Sequence, residues 1–263
     1  MFSRSPCHKN ITLTAEERQK RIFDYLLKVE FASLEELSNQ LDVSVSTVRR
    51  DVSSLEDTGK LKRTHGGARL ANPESDEFSF NLRETHQGAE KDAIGRAVAN
   101  LIGLNQTVIM DAGSTVYHVA KYLEPKTPHI ITNSLPIANH YAANNQVEVI
   151  VSGGVIYPRL GVMVGPLAIH AFSEINADVA VMGAGGISED GISNSHVLLI
   201  DIQLAMIKAA RKTIFCLDST KIGRQSLTRL CGLERIHTIV TDSAASKAMV
   251  DKLCKSGLEV IVA

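Results

Sequence analysis

Two composition regimes that meet near "ANPESDEFSFNLRE", residues 71 to 84, predict a two-domain α/β chain. Before that stretch the pattern is short helices and charge. After it, β-rich apolar runs such as "TVIMDAG", "HIITNS", "VEVIVSGG", "ADVAVMGAGG" and "TIFCLDST" alternate with helical stretches. A length of 263 residues supports two domains, and 44% hydrophobic content is that of an ordinary globular protein. No repeat with a period of about 20 to 50 residues interrupts this division. The expected boundaries are a first domain over 1–70, a linker over 71–88 and a second domain over 89–263.

Composition also sets exclusions. A net charge of −1 says nothing of a nucleic-acid partner, so any such sign must come from where the charges sit. Cys7, Cys216, Cys231 and Cys254 form no CxxC pair, which argues against a zinc site and a disulfide scaffold; no metal is expected. The N-terminus has no apolar core of the signal-peptide kind, and no apolar run approaches the ~18 residues of a membrane span. A cytoplasmic chain without a membrane partner is the expectation.

In the first domain "TAEERQKRIFDYLLK" opens with Thr14 and Glu17 spaced as a capping box and carries Ile22, Tyr25 and Leu26 as an apolar stripe. "SLEELSNQLDV" repeats the device with Ser33 and Glu36, burying Leu34, Leu37 and Leu41. The turn "DVS" leads to a third helix with Ser44 as N-cap. On that helix Val45, Val48, Val52 and Leu55 form the apolar stripe, and Ser46, Arg49, Arg50 and Ser53 fall on the opposite face. Gly59 ends it, and "KLKRTHGGARL" reads as a short β-wing with a Gly-Gly turn. Helix, helix, turn, helix, wing is the winged helix-turn-helix order.

Charge placement agrees with that order. Residues 44 to 69 hold Arg49, Arg50, Lys60, Lys62, Arg63 and Arg69 against Asp51, Glu56 and Asp57. Six positive less three negative leaves +3 in a chain of net −1. Lysine and arginine displace counterions from phosphates, and short Ser and Thr side chains at a helix start can approach base edges in the major groove. Double-stranded operator DNA is therefore the expected partner, met by Ser46, Thr47, Arg49 and Arg50 on the third helix and by Lys62, Arg63 and His65 in the wing. Taken alone, Arg49 and Arg50 also fit a solvated face paired with Asp51 or Glu56, and His65 also fits an exposed polar residue; the conjunction of caps, stripe and basic wing favours DNA.

In the second domain strands end at glycine- and hydroxyl-rich turns that open helices. "VIMDAGSTVYHVAKYL" runs through Asp111, Gly113, Ser114 and Thr115, and "IITNSLPIANHYA" through Thr132, Asn133 and Ser134. "VSGGVI" places Gly153 and Gly154 after a strand, "VMGAGGIS" places Gly183 and Gly185 after another, and "LDSTKIG" brings in Lys221. Amides at a helix start with small neighbours suit a phosphate. Each turn alone also reads as an ordinary N-cap, and Lys221 equally as a loop lysine; several such turns at one sheet edge favour a ligand crevice.

The first half, through "VSVSTVRRDVSSLEDTGKLKRTHGGA", resembles the DNA-binding domain of the DeoR/GlpR family of bacterial sugar-operon regulators. The second half resembles the family's effector domain from about Lys91 to about Asp242, through "DAGST", "TNS", "GG", Gly165, "GAGGI" and "DSTK.G". The resemblance implies an α/β effector domain similar in fold to ribose-phosphate isomerase and coenzyme A transferases. It also implies a pocket for a phosphorylated sugar or related metabolite ringed by these turns, and a repressor of a carbohydrate-utilisation operon. One departure stands out: where the family carries a Glu-rich, Lys-containing helix, this chain reads "GISNSHVLLIDIQLAM", with apolar Val197 to Ile200 and Gln203 in place of charge.

Two enzymatic readings compete. A sugar-phosphate isomerase would use a carboxylate such as Asp111 as general base, with Lys221 near the anion. No nucleophile beside a base is visible, no catalytic residue is assigned, and fold does not fix function. A nucleotide-dependent oxidoreductase is opposed by "GAGGIS", which fails GxGxxG at its last position. No cofactor is expected. Two half-sites related by protein symmetry are the usual route to operator specificity, so a homo-oligomer, dimer or tetramer, is expected.

Overall fold

The computed structural model describes residues 13–29, 31–64, 66–70, 80–123, 129–142, 144 and 147–263. The chain forms two compact units, Met1–Asp76 and Glu77–Ala263. Of the stretch expected as linker, residues 71–79 lie outside the described residues and Phe80–Thr85 is helical.

The first unit holds α1 (Ala15–Val29), β1 (Phe31–Ser33), α2 (Leu34–Leu41), α3 (Val45–Asp57), β2 (Leu61–Thr64) and β3 (Gly67–Leu70). Both expected capping boxes are present. Glu17 N–H donates to Thr14 Oγ1 at 3.2 Å while Thr14 N–H donates to Glu17 Oε2 at 2.8 Å, and Ser33 and Glu36 reciprocate in the same way ahead of α2. Ser44 caps α3 by accepting from Thr47 N–H. Gly59, at φ 72°, ends it in a Schellman arrangement, with Lys60 N–H on Leu55 O at 3.0 Å and Gly59 N–H on Glu56 O at 2.8 Å.

The core under these caps is Ile22, Phe23 and Leu26 of α1, Leu37 and Leu41 of α2, and Val48, Val52 and Leu55 of α3. Leu34, Tyr25 and Val45 are only half-buried, so the apolar stripes are narrower than the sequence pattern suggests. β1 is an addition to the expected order. It pairs antiparallel with β3, giving a three-stranded sheet β1-β3-β2 in which Ser33 faces Gly67.

The second unit is an open sheet of seven strands, all parallel, between two helical layers. Its strands are β4 (Thr107–Met110), β5 (His129–Thr132), β6 (Val149–Val151), β9 (Ala177–Met182), β12 (Ala210–Cys216), β14 (Thr238–Thr241) and β15 (Glu259–Val262), in the order β15-β14-β12-β9-β4-β5-β6. On one face α5 (Gly88–Leu101), α6 (Ser114–Leu123) and α7 (Leu135–Tyr141) pack on Val108, Met110, Ile130, Val179, Val181 and Ile214. On the other, α8 (Pro166–Ser173), α9 (Ile200–Ala209) and α10 (Lys247–Lys255) pack on Ile109, Ile131, Ala180, Met182, Phe215 and Ile239. Consecutive strand residues thus enter opposite cores, which explains why these strands read as unbroken apolar runs.

The strand order reverses between β4 and β9. The chain builds outward from β4 through β5 to β6, then returns to β9 beside β4 and builds outward the other way. Two antiparallel additions accompany the sheet: the pair β7 (Val155–Tyr157) with β8 (Val162–Val164), and the sheet of β10 (Gly186–Ser188), β11 (Gly191–Asn194) and β13 (Thr228–Cys231). Helix α4 (Phe80–Thr85) precedes α5.

Asp51 is 4% exposed on the core side of α3, and its carboxylate takes two bonds from the Arg18 guanidinium, at 2.8 and 3.2 Å. Removing one partner of a buried charged pair leaves the other unsatisfied. We expect Asp51→Ala to destabilise the first unit by about 1–3 kcal/mol, measured as a lowered midpoint of its transition in urea.

Candidate functional site

On α3 the face opposite the core is Ser46, Arg49 and Arg50, all exposed, with Thr47 half-buried beside them. Ser44 Oγ lies 2.9 Å from both Ser46 Oγ and Thr47 Oγ1, so the three hydroxyls form one polar cluster at the helix start. Neither acidic residue offered as a partner for the arginines takes that role. Asp51 is held by Arg18, and the Glu56 carboxylate accepts from the Arg63 backbone at 3.1 Å and from Arg63 Nε. Arg63 is thereby tied to the end of α3, which fixes the wing to the helix, while Lys62 stays exposed and pairs across the wing with Arg69. Arg49 and Arg63 line one cleft with Leu34, Thr64, Gly66 and Gly67. His65 lies outside the described residues.

In the second unit the parallel sheet brings the ends of β4, β5, β6, β9, β12 and β14 to one edge. Asp111, Asn133, Ser152, Gly183, Leu217 and Asp242 follow those strands directly. Asp111 and Gly183 stand at the point where the strand order reverses, the place where open α/β sheets form a crevice. They meet there: Gly183 N–H donates to Asp111 Oδ2 at 3.1 Å, and a Cβ on Gly183 would sit 3.3 Å from the Gly113 Cα.

Asp111 is 4% exposed and also accepts from Gln203 Nε2 at 2.8 Å, while Gln203 Oε1 accepts from Asn194 Nδ2 at 2.9 Å. Burial raises its pKa, and the bonds from Gln203 and Gly183 oppose the rise. Gln203 of the departing segment is therefore the amide that satisfies a buried carboxyl. In the same segment Val197 and Leu198 are exposed and Leu199 is buried.

The other expected site residues divide into two groups. Ser114 and Thr115 open α6 beside Gly113, and Tyr117 N–H returns to Gly113 O at 2.9 Å. Gly153 and Gly154 form an exposed turn before β7, Gly185 lies buried against Ser226, and Lys221 is half-buried in a 3-10 turn that Asp218 caps. Thr132, Asn133 and Ser134, in contrast, are fully buried and spend their groups on the fold. Thr132 Oγ1 donates to Met110 O and accepts from Ser134 N–H, Ser134 Oγ accepts from Ile137 N–H, and Leu135 N–H donates to Gly161 O. Asn133 Oδ1 remains buried without a hydrogen-bond partner.

Three charged groups at this edge escaped the sequence reading. Lys91 of α5 is 3% exposed, and its ammonium donates to the carbonyls of Arg83 and of His86, the latter at 2.6 Å. Asp218 follows β12, buried, and Arg83 comes from α4. Two of them left a sign in the sequence: Lys91 as a charge among the buried positions of an amphipathic helix, and Asp218 as the first residue of "DSTK.G". Burial, opposed by Asp218 and reinforced by Arg83 and Lys221, lowers the Lys91 pKa to about 8. The Cys216 thiol at the end of β12 is buried, and burial, with Asp111 adding to it, pushes its pKa up.

A helix-turn-helix unit with a basic exposed face, joined to an open parallel α/β unit with polar turns at the carboxyl edge of its sheet, defines a two-part DNA-binding regulator with a sensing domain. Comparison with known families agrees: a DeoR-like helix-turn-helix domain matches residues 18–74 and a DeoR C terminal sensor domain matches residues 86–243. The chain belongs to the DeoR family of transcriptional regulators. It is 34% identical over 249 residues to the HTH-type transcriptional regulator GolR of Listeria innocua, covering 94% of this chain and 98% of that one. It is 32% identical to the HTH-type transcriptional repressor GlcR of Bacillus subtilis (94% and 96% covered) and 32% identical to an L-fucose operon activator of Haemophilus influenzae (86% and 91%). Among solved structures, ribose 5-phosphate isomerase A of Methanocaldococcus jannaschii aligns over 50% of this chain and 52% of its own at 15% identity, with a TM-score of 0.36. No helix among the described residues is long and apolar enough to cross a membrane.

A folded-state pKa of about 8 for Lys91 against 10.5 in the open chain means that between these values the unfolded chain holds a proton that the folded one lacks. Stability contributed at this site therefore rises with pH through that window. Comparing denaturation of the protein and of Lys91→Met at pH 7.5 and pH 10 should show this rise in the first and its loss in the second.

Proposed function

We propose that this regulator represses a carbohydrate-utilisation operon, gripping operator DNA with Ser46, Thr47, Arg49 and Arg50 of α3 and with Lys62 and Arg63 of the wing. The observation that carries the reading is the pairing of Asp51 with Arg18 and of Glu56 with Arg63, which leaves Arg49 and Arg50 un-neutralised by either acid on an exposed face. His65 belongs to the same wing segment. The name of one relative, the L-fucose operon activator, supports a sugar operon, and the relatives include both a repressor and an activator.

The sensing unit takes a phosphorylated sugar or related metabolite at the carboxyl edge of the sheet. The crevice between Asp111 and Gly183, the start of α6 at Gly113 to Thr115, the turns at Gly153, Gly154 and Gly185, and the Lys221 ammonium are its lining. Thr132, Asn133 and Ser134, all fully buried, serve it by holding the turn after β5 in place. We read the chain as a regulator and not an enzyme, because Asp111, the carboxylate best placed for a base, is buried and already accepts from Gly183 and Gln203. It acts in the cytoplasm as a homo-oligomer, dimer or tetramer. Exposed Leu167, Val197, Leu198 and Leu204 on α8, on α9 and in the turn before it supply apolar surface for assembly.

Arg50→Ala should weaken operator binding by about 1 to 3 kcal/mol and lower its salt dependence; gel shifts at several salt concentrations measure both, and unchanged affinity in the Arg49→Ala, Arg50→Ala double variant would sink the DNA assignment. A thermal-shift screen should raise the melting temperature with phosphorylated sugars and not with the free sugars, and Lys221→Ala should raise the concentration needed. Light scattering that finds only monomer, with and without operator, overturns the oligomer.

A further inference from the structure

Arg49 and Arg50 are neighbours in the sequence, yet α3 sends them to different sides. At about 100° per residue Arg50 stands over Ser46, one turn earlier, while Arg49 falls in line with Val52 and Glu56 on the flank that faces the wing. The contacts agree with that geometry. Arg50 Nε donates to the Ser46 carbonyl at 3.4 Å, so this side chain runs back toward the start of the helix, where Ser44, Ser46 and Thr47 hold their hydroxyls together. Arg49, Val52 and Glu56 instead line a cleft of about 440 Å³, closed on its other side by Arg63 and Thr64 of β2 and by the wing turn at Gly66 and Gly67.

That cleft is held from both ends. Leu34 N–H donates to Gly66 O at 3.0 Å, and a Cβ on Gly67 would fall 2.4 Å from Ala32 O, so the wing turn sits hard against the start of α2. Glu56 accepts from the Arg63 backbone and from Arg63 Nε, which holds the wing to α3. The lining carries the guanidiniums of Arg49 and Arg63 and the carboxylate of Glu56, and that carboxylate is already bonded to Arg63. The surplus charge is that of Arg49, which is exposed and pairs with no acid among the described residues. A fixed cleft with one surplus cation and the Thr64 hydroxyl suits a backbone phosphate, a compact anion that is met by charge. Arg50 is placed for a different partner. With Nε on Ser46, its two Nη groups remain as a fork, the geometry that meets O6 and N7 of guanine in the major groove.

We propose that the two arginines divide the operator between them: Arg50 reads a guanine and so specifies sequence, and Arg49 holds a backbone phosphate in the cleft between α3 and the wing and so sets position. This rests on the DNA reading above and gives each arginine its own partner. Each brings a positive charge to the DNA, so loss of either lowers the salt dependence of binding. The roles separate only in the response to changes made in the DNA.

The probe is a duplex selected by the full-length protein from a pool of randomised sequence and then remade with single changes. Replacing one guanine of the half-site by 7-deazaguanine, which lacks the N7 acceptor, should weaken binding of the unaltered protein about fivefold or more and that of Arg50→Ala by less than about twofold. A methylphosphonate, which removes one phosphate charge, should act in the same way at one position on the unaltered protein and not on Arg49→Ala. Arg49→Lys should regain that sensitivity, because a phosphate accepts a point charge. Repeating the selection, Arg49→Ala should return the same sequence, and Arg50→Ala a sequence degenerate at the sensitive guanine. Both side chains are exposed and alanine suits a helix, so the circular dichroism of each variant should match that of the unaltered protein. No sensitive guanine, a sensitive guanine that Arg50→Ala still feels, or methylphosphonate effects undiminished in Arg49→Ala overturns the division and leaves the DNA reading standing. A pool from which no sequence is enriched takes both.

Discussion

A single buried carboxyl, that of Asp111, organises the sensing unit. Placing a carboxylate at the inner edge of a seven-stranded sheet is costly unless hydrogen bonds meet it. The chain meets it from two directions, with the Gly183 amide from the end of β9 and the Gln203 side chain from α9. Asn194 then holds Gln203. Those bonds draw together the two strand ends between which the sheet order reverses, and the closeness of Gly113 and Gly183 follows, since neither has a Cβ to keep the turns apart. The close approach of the β4 and β9 ends is thus a consequence of satisfying one acid.

The first unit uses buried charge in the same way. Arg18 reaches from α1 to Asp51 on α3, satisfying the one acid on that helix's inner side, and Glu56 is taken by the wing through Arg63. Both pairs orient elements: one sets α1 on α3, the other sets β2 on the end of α3. Their joint effect is electrostatic, because the acids that follow Arg49 and Arg50 in the sequence are turned to structural partners. Local net charge over residues 44–69 understates the field on the exposed face by one charge, since Asp51 is neutralised by Arg18 from outside that stretch.

Between these two arrangements lies a difference in how glycines and hydroxyls serve the sheet edge. The turn at Thr132 to Ser134 has the composition of an anion-binding turn, yet its donors close on Met110, Thr132, Ser134 and Gly161 within the fold. The turn at Gly113 to Thr115 has the same composition but opens a helix at the reversal of strand order. Composition is identical in kind; position in the sheet separates the two, because only the point of reversal leaves a gap between helices of opposite layers.

The sequence by itself determined the local order of the first unit. Thr14 with Glu17, Ser33 with Glu36, Ser44 and Gly59 are signals that act within a turn of their own position, so the helix limits and the face carrying Ser46, Arg49 and Arg50 could be read without tertiary knowledge. The alternation of apolar strands and helices likewise showed a parallel α/β unit, because strands buried on both faces must be apolar throughout. What only the tertiary structure decided depends on partners far apart in the chain. Strand β1 exists because β3 pairs with it, Phe80–Thr85 is helical within a stretch whose composition reads as a linker, and Asp51 finds Arg18 across 33 residues. Lys91, Arg83 and Asp218 joined the sheet edge by the same kind of long-range packing. A short strand or an isolated charge carries no periodic signal, so its meaning is set by what folds against it.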